Sequence, residues 1–376
     1  MRISFVCPTL NLTGGIRVIV IHAQRLKRMG HEVHIISPPP RAIPALGRLK
    51  SWMRGSGWPG TIRHPRSHLD GSGIDNHVLD RWRPVVDADV PDGDVVIATW
   101  WETAEWVNAL SPSKGAKVYF VQGHEIFPYL PVERCCQTYR LPLHKIVVAR
   151  WLKHVMRDQY GDETVDLVPN SVDRAQFFAP VRGKQPVPTV GLLYSSGQLK
   201  GTDVSLAAVE MVRRRYPNLR ITAFGANPPV SSLQLPRGAE LTVAPPQDEI
   251  RNLYSRCDVW ITASHSEGFN LPAMEAMACR TPVVATRTGW PAESVRTGHN
   301  GMLVEIGDRV GLAHGVEWVL SRNDADWREL SQNAYATAAA GSWDESARLF
   351  EGALRRACDR AACGEIAGRG GARQTV

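Results

Sequence analysis

The sequence predicts an α/β protein of two Rossmann-like, doubly wound domains that face each other across a ligand cleft. Three observations predict this class. Short apolar segments alternate with segments of helical periodicity, and the alternation restarts after a stretch rich in Pro, Gly, Lys and Gln near 180–188. The length of 376 residues exceeds what one hydrophobic core usually supports. Doubly wound sheets bind ligands at the carboxyl ends of their strands, so two facing crevices would form one cleft.

The first domain is predicted over residues 1–180. It opens with a strand, a helix and a second strand, and this βαβ order predicts a parallel sheet. The predicted elements are strands over 3–7, 33–36, 94–99, 117–121 and 145–149, and helices over 16–29 and 150–159.

The second domain is predicted over residues 188–345, where a new series of strands and helices begins. Its elements are strands over 189–193, 219–224, 240–243, 259–262 and 282–285, helices over 204–215 and 271–279, and mostly helix from 308 to 363. The last 13 residues, 364–376, are rich in Gly and Arg and are predicted to be a disordered tail.

Composition excludes several functional classes. The net charge of +7 suits an anionic ligand, and without a recognisable module it is too weak to indicate nucleic-acid binding. The seven cysteines form no pair of CxxC units, so a zinc site is not expected. No apolar stretch approaches the roughly 20 residues that cross a bilayer, and the start does not resemble a secretory signal. A cytoplasmic location is the expectation.

A segment with two glutamates carries the strongest functional signal. Glu267 lies in a loop directly after a predicted strand, and Leu271 opens a helix whose first N–H groups suit a phosphate or polar sugar. Glu275 follows eight residues after Glu267, inside that helix, and so reaches a different part of the same ligand. Carboxylates suit sugars because each accepts hydrogen bonds from a pair of hydroxyls. The alternative is a helix cap and a solvated helical charge.

The spacing of the two glutamates resembles the Glu-x7-Glu signature of retaining GT-B glycosyltransferases, often called glycosyltransferase group 1 or family 4. The resemblance is strong over about 168–345 and looser before it. It implies the GT-B architecture, with a final helix over 346–363 that packs back on the N-terminal domain. The segments that carry it, besides the signature and Trp343, are 168–173, 190–201, 253–259, 282–286 and 298–301.

The resemblance also implies residue roles. Glu267 would bind the hydroxyls of the donor sugar, and Glu275 the ribose of the nucleotide. Lys200, in the first loop of the second domain, would stabilise the charge that grows on the β-phosphate as the glycosidic bond breaks. The family shares this task with an arginine near Leu193 and Tyr194, where this chain has no cation.

Further donor contacts come from both domains. His124 resembles the family histidine that contacts the donor sugar, and a structural histidine is the alternative. The glycine pair after the first strand would admit the donor phosphate, or it forms an ordinary turn. Glu293 resembles a family glutamate near the nucleotide, or it caps a helix. The full donor-binding set is Gly14, Gly15, Gly268, Phe269, Asn270, Leu271, Glu275 and Glu293.

Acceptor recognition is predicted in the first domain. Trp100 and Trp101 end a strand and suit stacking on a sugar face, although core packing explains at least one of them. Glu125 either binds the acceptor or is solvated. The basic loop over 41–66, with Trp52 and Trp58, suits an anionic acceptor or peripheral membrane contact, with a solvated loop as the alternative.

The resemblance implies an EC 2.4 hexosyltransferase that moves a sugar from a nucleoside-diphosphate sugar to an acceptor hydroxyl with retention. No cofactor or metal is expected, because none of the Asp-x-Asp triplets, at 87–89, 92–94 and 324–326, falls in the functional loops. One alternative is a catalytically silent protein that binds sugar nucleotides as the partner of another transferase. Another is a sugar-nucleotide epimerase or a phosphorylase of similar architecture.

Overall fold

The computed structural model describes residues 1–41 and 66–368. These residues form two compact units, each around its own parallel sheet. The first unit contains 1–147, 152–168 and the chain from Ala347 onward, and the second contains Val148–Trp151 and Pro169–Ser346. The predicted class of two doubly wound α/β domains is confirmed.

The first unit has a seven-stranded sheet of order β3-β2-β1-β4-β5-β6-β7, and every neighbouring pair of strands is parallel. Four of its strands are almost entirely buried, as expected for a sheet covered on both faces. The strands are β1 (Arg2–Val6), β2 (Glu32–Ser37), β3 (Asp75–Val78), β4 (Val95–Ala98), β5 (Ala116–Val121), β6 (His144–Val147) and β7 (Asp166–Leu167). The helices are α1 (Gly14–Arg28), α2 (Trp101–Ala109), α3 (Val132–Thr138) and α4 (Arg150–Tyr160).

The second unit has a six-stranded parallel sheet of order β10-β9-β8-β11-β12-β13. The strands are β8 (Thr189–Leu193), β9 (Arg220–Gly225), β10 (Glu240–Val243), β11 (Val259–Thr262), β12 (Val283–Thr286) and β13 (Gly301–Val304). The helices are α5 (Thr202–Arg215), α6 (Ile250–Ser255), α7 (Leu271–Ala278), α8 (Gly289–Ser294), α9 (Arg309–Leu320) and α10 (Asp324–Ala338). The last helix, α11 (Trp343–Ala362), begins in the second unit and belongs to the first unit from Ala347 onward. In this strand order β8 and β11 are neighbours, so the loops that follow them leave the same edge of the sheet.

The described residues from Ala347 to 368 belong to the first unit. Phe350 of α11 is fully buried, where it stacks on His22 with ring centroids 4.4 Å apart and meets Phe120 edge to face at 5.0 Å. Residues 364–368, predicted to belong to a disordered tail, also pack there. The N–H of Ala367 donates to the carbonyl of Pro142, and its carbonyl accepts from Lys117. Those backbone bonds, invisible in composition, explain the difference. Residues 369–376 lie outside the described part of the chain.

The cysteines of the described chain are all free thiols, and most are buried. Burial raises the pKa of Cys7 and Cys257 to about 12 and that of Cys135 to about 11. Cys363, just after α11, is exposed. Within residues 1–41 and 66–368, no helix has the length and apolar character that a membrane crossing requires.

Candidate donor site

The loop after β8 places Lys200 at the carboxyl edge of the second sheet. A short 3-10 turn, Gln198–Lys200, leads through Gly201 into α5. Gly201 has φ of +58°, and a Cβ there would collide with the carbonyl oxygen of Ala263. Only glycine fits this close approach of two loops, which Leu199 reinforces by accepting a hydrogen bond from the N–H of His265 at 2.8 Å.

Glu267 lies at the centre of the contacts between these loops. Its Oε1 accepts a hydrogen bond from Lys200 Nζ at 2.7 Å and another from Ser264 Oγ at 2.7 Å. The hydroxyl of Thr286, at the end of β12, donates to the carbonyl of Ser264 at 2.6 Å and holds this loop in place. The two residues predicted to bind the sugar and the phosphate are therefore in direct contact. Lys200 remains about one-third exposed, so a ligand can reach its ammonium group.

The start of α7 is fixed by Asn270. This residue has a left-handed backbone with φ of +79°, and its Oδ1 accepts from the N–H of Ala273 as a helix N-cap. Its Nδ2 donates to Thr262 Oγ1 at 2.8 Å, at the end of β11. The side-chain amide of this predicted donor-binding residue is engaged inside the protein. Its contribution is to aim the loop that carries Glu267 and the N-terminus of the helix that Leu271 opens.

Glu275 is buried on α7, where its Oε2 accepts a hydrogen bond from the Tyr254 hydroxyl at 2.9 Å. Tyr254 belongs to α6 and is fully buried. This contact fixes the orientation of the carboxylate that was predicted to bind the ribose. Tyr254 lies in the segment 253–259, which carries part of the resemblance, so that segment orients Glu275.

Trp151 fastens the Glu267 loop from its other side. The indole Nε1–H donates to the carbonyl of Gly268 at 2.9 Å, and the backbone N–H of Trp151 donates to Glu293 Oε1 at 2.8 Å. Glu293 thus satisfies a free N–H at the start of α4, which is the helix-cap alternative for this residue. Phe269, the residue after Gly268, packs against Trp290, with ring centroids 6.0 Å apart and the planes 25° from parallel.

In the first unit, Gly14 and Gly15 form the first turn of α1. Among the described residues, a Cβ at Gly14 would meet nothing within 4 Å, and one at Gly15 would meet the Gln122 side chain at 3.6 Å. Both φ angles lie outside the left-handed region. The packing and backbone of the described residues therefore do not require glycine at either position.

His124 follows β5 and is buried against two tyrosines. Its Nε2 lies 2.7 Å from the Tyr160 hydroxyl, and its ring meets Tyr139 at 5.4 Å between centroids. Burial lowers the pKa of His124, so the imidazole is neutral at pH 7. Because Tyr160 occupies Nε2, a sugar hydroxyl would have to reach this ring through Nδ1.

The predicted acceptor residues separate into buried and accessible groups. Glu125 is 4% exposed, so neither solvation nor an open acceptor contact describes it; its Oε2 accepts from the N–H of Trp101 at 2.9 Å. Trp101 is itself buried, with Arg134 above its ring, and is part of the core. Trp100 is half-buried and remains the accessible member of the pair. The loop over 41–66, with Trp52 and Trp58, falls outside the described residues except for Arg41 and Arg66.

Tyr194 lies where the family arginine was expected, and its hydroxyl is engaged within the second unit. The Tyr194 hydroxyl donates to the carbonyl of Leu233 at 2.8 Å and accepts from the N–H of Val230 at 3.0 Å. Tyr194 therefore anchors the segment 230–233 instead of facing a phosphate. The Asp-x-Asp triplets are engaged elsewhere, through ion pairs of Asp89 with Arg83, Asp92 with Lys114, and Asp324 with Arg328.

Sequence reasoning missed three residues of this site: Ser264, Tyr254 and Trp151. Each acts through a hydrogen bond to a residue that the motif did identify. Ser264 had a usable signal, since it lies three residues before Glu267 in the same loop. Trp151 had none, because it is 117 residues from the carbonyl that it binds.

Comparison with known proteins follows the same division of the chain. Residues 186–322 match the family described as Glycosyl transferases group 1. The D-inositol 3-phosphate glycosyltransferase of Pseudarthrobacter chlorophenolicus is 30% identical over 217 residues, which are 53% of this chain and 51% of that protein. The enzyme of the same name from Acidothermus cellulolyticus is 31% identical over 241 residues, covering 57% and 53%. The chain thus spans about half the length of these curated relatives.

Two solved structures share the fold across nearly the whole chain. HepE of Anabaena, solved in complex with UDP and glucose, has a TM-score of 0.69 at 15% identity and covers 95% of this chain and 99% of its own. Sucrose-phosphate synthase from Thermosynechococcus elongatus has a TM-score of 0.70 at 16% identity, covering 96% and 100%. The segment that matches the glycosyl transferases group 1 family therefore lies within the second unit, and the chain has the GT-B fold of two Rossmann-like domains.

Proposed function

We propose that the protein is a retaining glycosyltransferase that moves a hexose-type sugar from a nucleoside-diphosphate sugar to an acceptor hydroxyl without a metal ion. The observation that carries this proposal is the cluster of Lys200, Glu267 and Ser264, joined by two hydrogen bonds of 2.7 Å. It combines a cation for a departing phosphate with a carboxylate for sugar hydroxyls, on loops that leave one edge of the second sheet.

Lys200 is proposed to stabilise the departing diphosphate. As the bond to the anomeric carbon breaks, negative charge grows on the β-phosphate, and a fixed cation beside it lowers the barrier. In the structure, Lys200 pairs with Glu267. A partly exposed pair of this kind contributes only ~0–1 kcal/mol, so a donor displaces it at little cost.

The donor sugar and the ribose are proposed to lie against the two glutamates of the signature. Glu267 accepts hydrogen bonds from the sugar hydroxyls, and Glu275, oriented by Tyr254, takes the ribose. In the first unit, Gly14 and Gly15 admit a phosphate to the first turn of α1, and His124 offers its Nδ1 to the sugar. The departing phosphate oxygen receives the proton of the attacking hydroxyl, which is consistent with a reaction that retains configuration.

The relatives guide the choice of ligands for a first test. HepE of Anabaena binds UDP and glucose, so UDP is the first nucleotide to examine. The curated relatives are named for D-inositol 3-phosphate, which makes a cyclic polyol a reasonable acceptor class. No metal is invoked, because Lys200 and the helix N-termini supply the positive charge that the phosphates need.

Thermal unfolding against UDP, GDP, dTDP and ADP, with and without a chelator, tests the donor site. A nucleotide that binds only the folded protein at about 100 times its Kd stabilises it by ~2.7 kcal/mol, which raises Tm measurably. We expect one nucleotide to raise Tm equally in the presence of the chelator. A shift that requires Mg²⁺ or Mn²⁺ would contradict the metal-free site, and no shift with any nucleotide would contradict the donor site.

Transfer assays with that donor series then test catalysis. We expect Lys200→Met and Glu267→Gln each to lower kcat about 10²- to 10³-fold, the usual loss for one electrostatic contact to a transition state. Lys153→Met, which removes an exposed lysine on α4, is the matched control and should leave kcat unchanged. The anomeric configuration of the product, read by NMR, tests retention. Nucleotide binding without transfer to any acceptor would favour the silent-partner alternative.

A further inference from the structure

A second cavity lies in the first unit, apart from every residue assigned above. It has a volume of about 280 Å³ and is bounded by the loops after β1 and β2 and by the segment before β3. Thr9 and Pro38–Pro40 form its end at the carboxyl edge of the sheet, which is where open α/β sheets bind ligands. Clefts for drug-sized ligands span about 300–1,000 Å³, so this one suits a single ring-sized group.

Ser37, the last residue of β2, lines this cavity with an unused hydroxyl. The residue is 1% exposed, and among the described residues its Oγ has no hydrogen-bond partner. A buried hydroxyl without a partner is costly, and natural structures contain few of them. A ligand hydroxyl in the cavity would supply the missing hydrogen bond.

The remaining wall combines polar and apolar surface in the proportion that a sugar ring needs. Asp70 already accepts hydrogen bonds from the N–H and the Oγ of Ser67, yet each carboxylate oxygen can accept a second one. Asn76 and Thr9 add an amide and a hydroxyl, while Leu69 and the prolines supply apolar contacts. This is the composition of a site for hydroxyl groups on a carbon ring.

The charge of the cavity decides between neutral and anionic ligands. Asp70 is the one charged side chain among the described residues that line it, and it is negative. A carboxylate repels a phosphate group placed beside it, whereas it accepts hydrogen bonds from neutral hydroxyls. Asp70 therefore favours a neutral ring over a phosphorylated one, although the curated relatives are named for a phosphorylated one.

We propose that this cavity binds a neutral polyhydroxyl ring of the acceptor, with Ser37 and Asp70 as specificity-determining residues. The inference rests on the proposed transferase function and names the substrate class of its acceptor. It concerns the first unit alone, whereas Lys200 and the two signature glutamates belong to the second.

Saturation-transfer NMR on the full chain tests binding directly, with UDP present. The neutral probes are myo-inositol and methyl α-D-glucopyranoside, and the anionic comparator is D-glucose 6-phosphate. We expect the neutral probes to bind and Ser37→Ala to weaken them about 3- to 10-fold, the range for one hydrogen bond. Asp70→Asn should weaken them similarly, whereas Ser37→Val should weaken them further by filling the cavity. Ser171→Ala, which removes a buried and equally unpartnered hydroxyl from the second unit, is the matched control.

Stability measurements separate a binding role from a structural one. Ser37→Ala removes an unsatisfied buried hydroxyl, so Tm should stay level or rise while affinity for the neutral probes falls. A fall in Tm with unchanged probe affinity would overturn the proposal, as would tighter binding of D-glucose 6-phosphate than of either neutral probe. If UDP raises Tm and no neutral probe binds, the cavity assignment alone fails. If UDP has no effect on the wild-type protein, the transferase proposal fails with it.

Discussion

Glu125 is the residue whose chemistry departs furthest from its appearance in the sequence. Its carboxyl group is buried, and its hydrogen bonds come from the N–H of Trp101 at the start of α2 and from the Tyr119 hydroxyl. Burial raises the pKa of Glu125 well above its usual value. The hydrogen bonds from the Trp101 N–H and the Tyr119 hydroxyl only partly offset that effect. A residue next to a predicted sugar-binding histidine thus serves to hold a helix.

Substitution of Glu125 by Gln should change how stability depends on pH. Above the ordinary pKa of 4.5, the unfolded chain releases this proton while the folded chain retains it, so the free energy of unfolding falls as pH rises. Gln has no such proton and can still accept from the N–H of Trp101. We therefore expect Glu125→Gln to resemble the wild type near pH 4 and to have a higher Tm at pH 8. Tm measured from pH 4 to pH 8 checks this.

The exposed Glu163→Gln is the control for that series, and its Tm difference from wild type should not grow with pH. A constant difference for Glu125→Gln across the pH range would contradict the assigned cause.

At this scale, local spacing predicted that Glu267 lies in a loop after a strand and that Glu275 lies inside the next helix, and the structure has both there. It could not predict which partner each carboxylate meets. Glu125 and Trp101 are 24 residues apart, and Tyr254 and Glu275 are 21 apart, so only the folded sheet brings them together.

Among the elements, α7 shows how one residue can set the direction of a helix. Asn270 combines a left-handed backbone, an N-cap to Ala273 and a bond to Thr262. Removing a cap costs ~0.5–2 kcal/mol. Placing alanine in the left-handed region costs roughly 1–2 kcal/mol more, which Gly does not incur.

We expect Asn270→Ala to destabilise the protein by about 1.5–4 kcal/mol, the sum of the cap and backbone costs, and Asn270→Gly by only about 0.5 kcal/mol, because glycine is tolerated as a cap and in the left-handed region. Urea denaturation measures both differences. The difference between the two variants measures mainly the free-energy cost of an alanine in the left-handed backbone. Equal destabilisation by Ala and Gly would show that this backbone cost is negligible.

The first turn of α1 permits a test that separates stability from donor binding. An alanine fits at Gly15 without a clash, and in a helix it is favoured over glycine by about 0.5–1 kcal/mol. We expect Gly15→Ala to keep or raise Tm while weakening the Tm shift produced by the donor. An unchanged donor-induced shift in Tm would show that Gly15 is not part of the donor site. Gly30 is unsuitable as a control, because its φ of +89° would strain an alanine there.

Strands with an apolar or alternating pattern were visible in the sequence, both the buried β8 and β11 and the edge strand β10. The predicted bounds of β8, β10 and β11 are the observed ones. The strand β3 was missed because Asp75–Val78 is a largely exposed edge strand with little apolar pattern. The strand β13 was missed because its four residues, Gly301–Val304, are too few to show periodicity and directly follow a turn sequence.

For the whole molecule, the most informative feature is the way in which the chain returns to its beginning. The second compact unit ends at Ser346, and the rest of α11 belongs to the first unit. The sequence predicted a linker after the first domain near 180–188, and the N-terminal part of the first unit ends at Val168. Composition marks the Pro-rich stretch, but the contacts of a strand such as β7 decide where a unit ends.

Truncation of Phe350 tests whether α11 is part of the first unit's core. The side chain is fully buried among Phe5, His22 and Phe120, so Phe350→Ala should cost ~3–5 kcal/mol. The adjacent Leu349 is 45% exposed, and Leu349→Ala should stay within about 0.5 kcal/mol of wild type. Urea denaturation followed by circular dichroism compares the two. Equal costs would mean that α11 is dispensable for that core.

The distribution of thiols has a practical consequence for experiments on the protein in solution. Thiolates are the reactive form, and burial keeps Cys7, Cys135 and Cys257 protonated at ordinary pH. Cys363 is exposed just beyond α11. A maleimide dye at neutral pH should therefore attach first at the end of the helix that closes the first unit. The natural sequence therefore provides an attachment site for an optical label at that position, without any engineered cysteine.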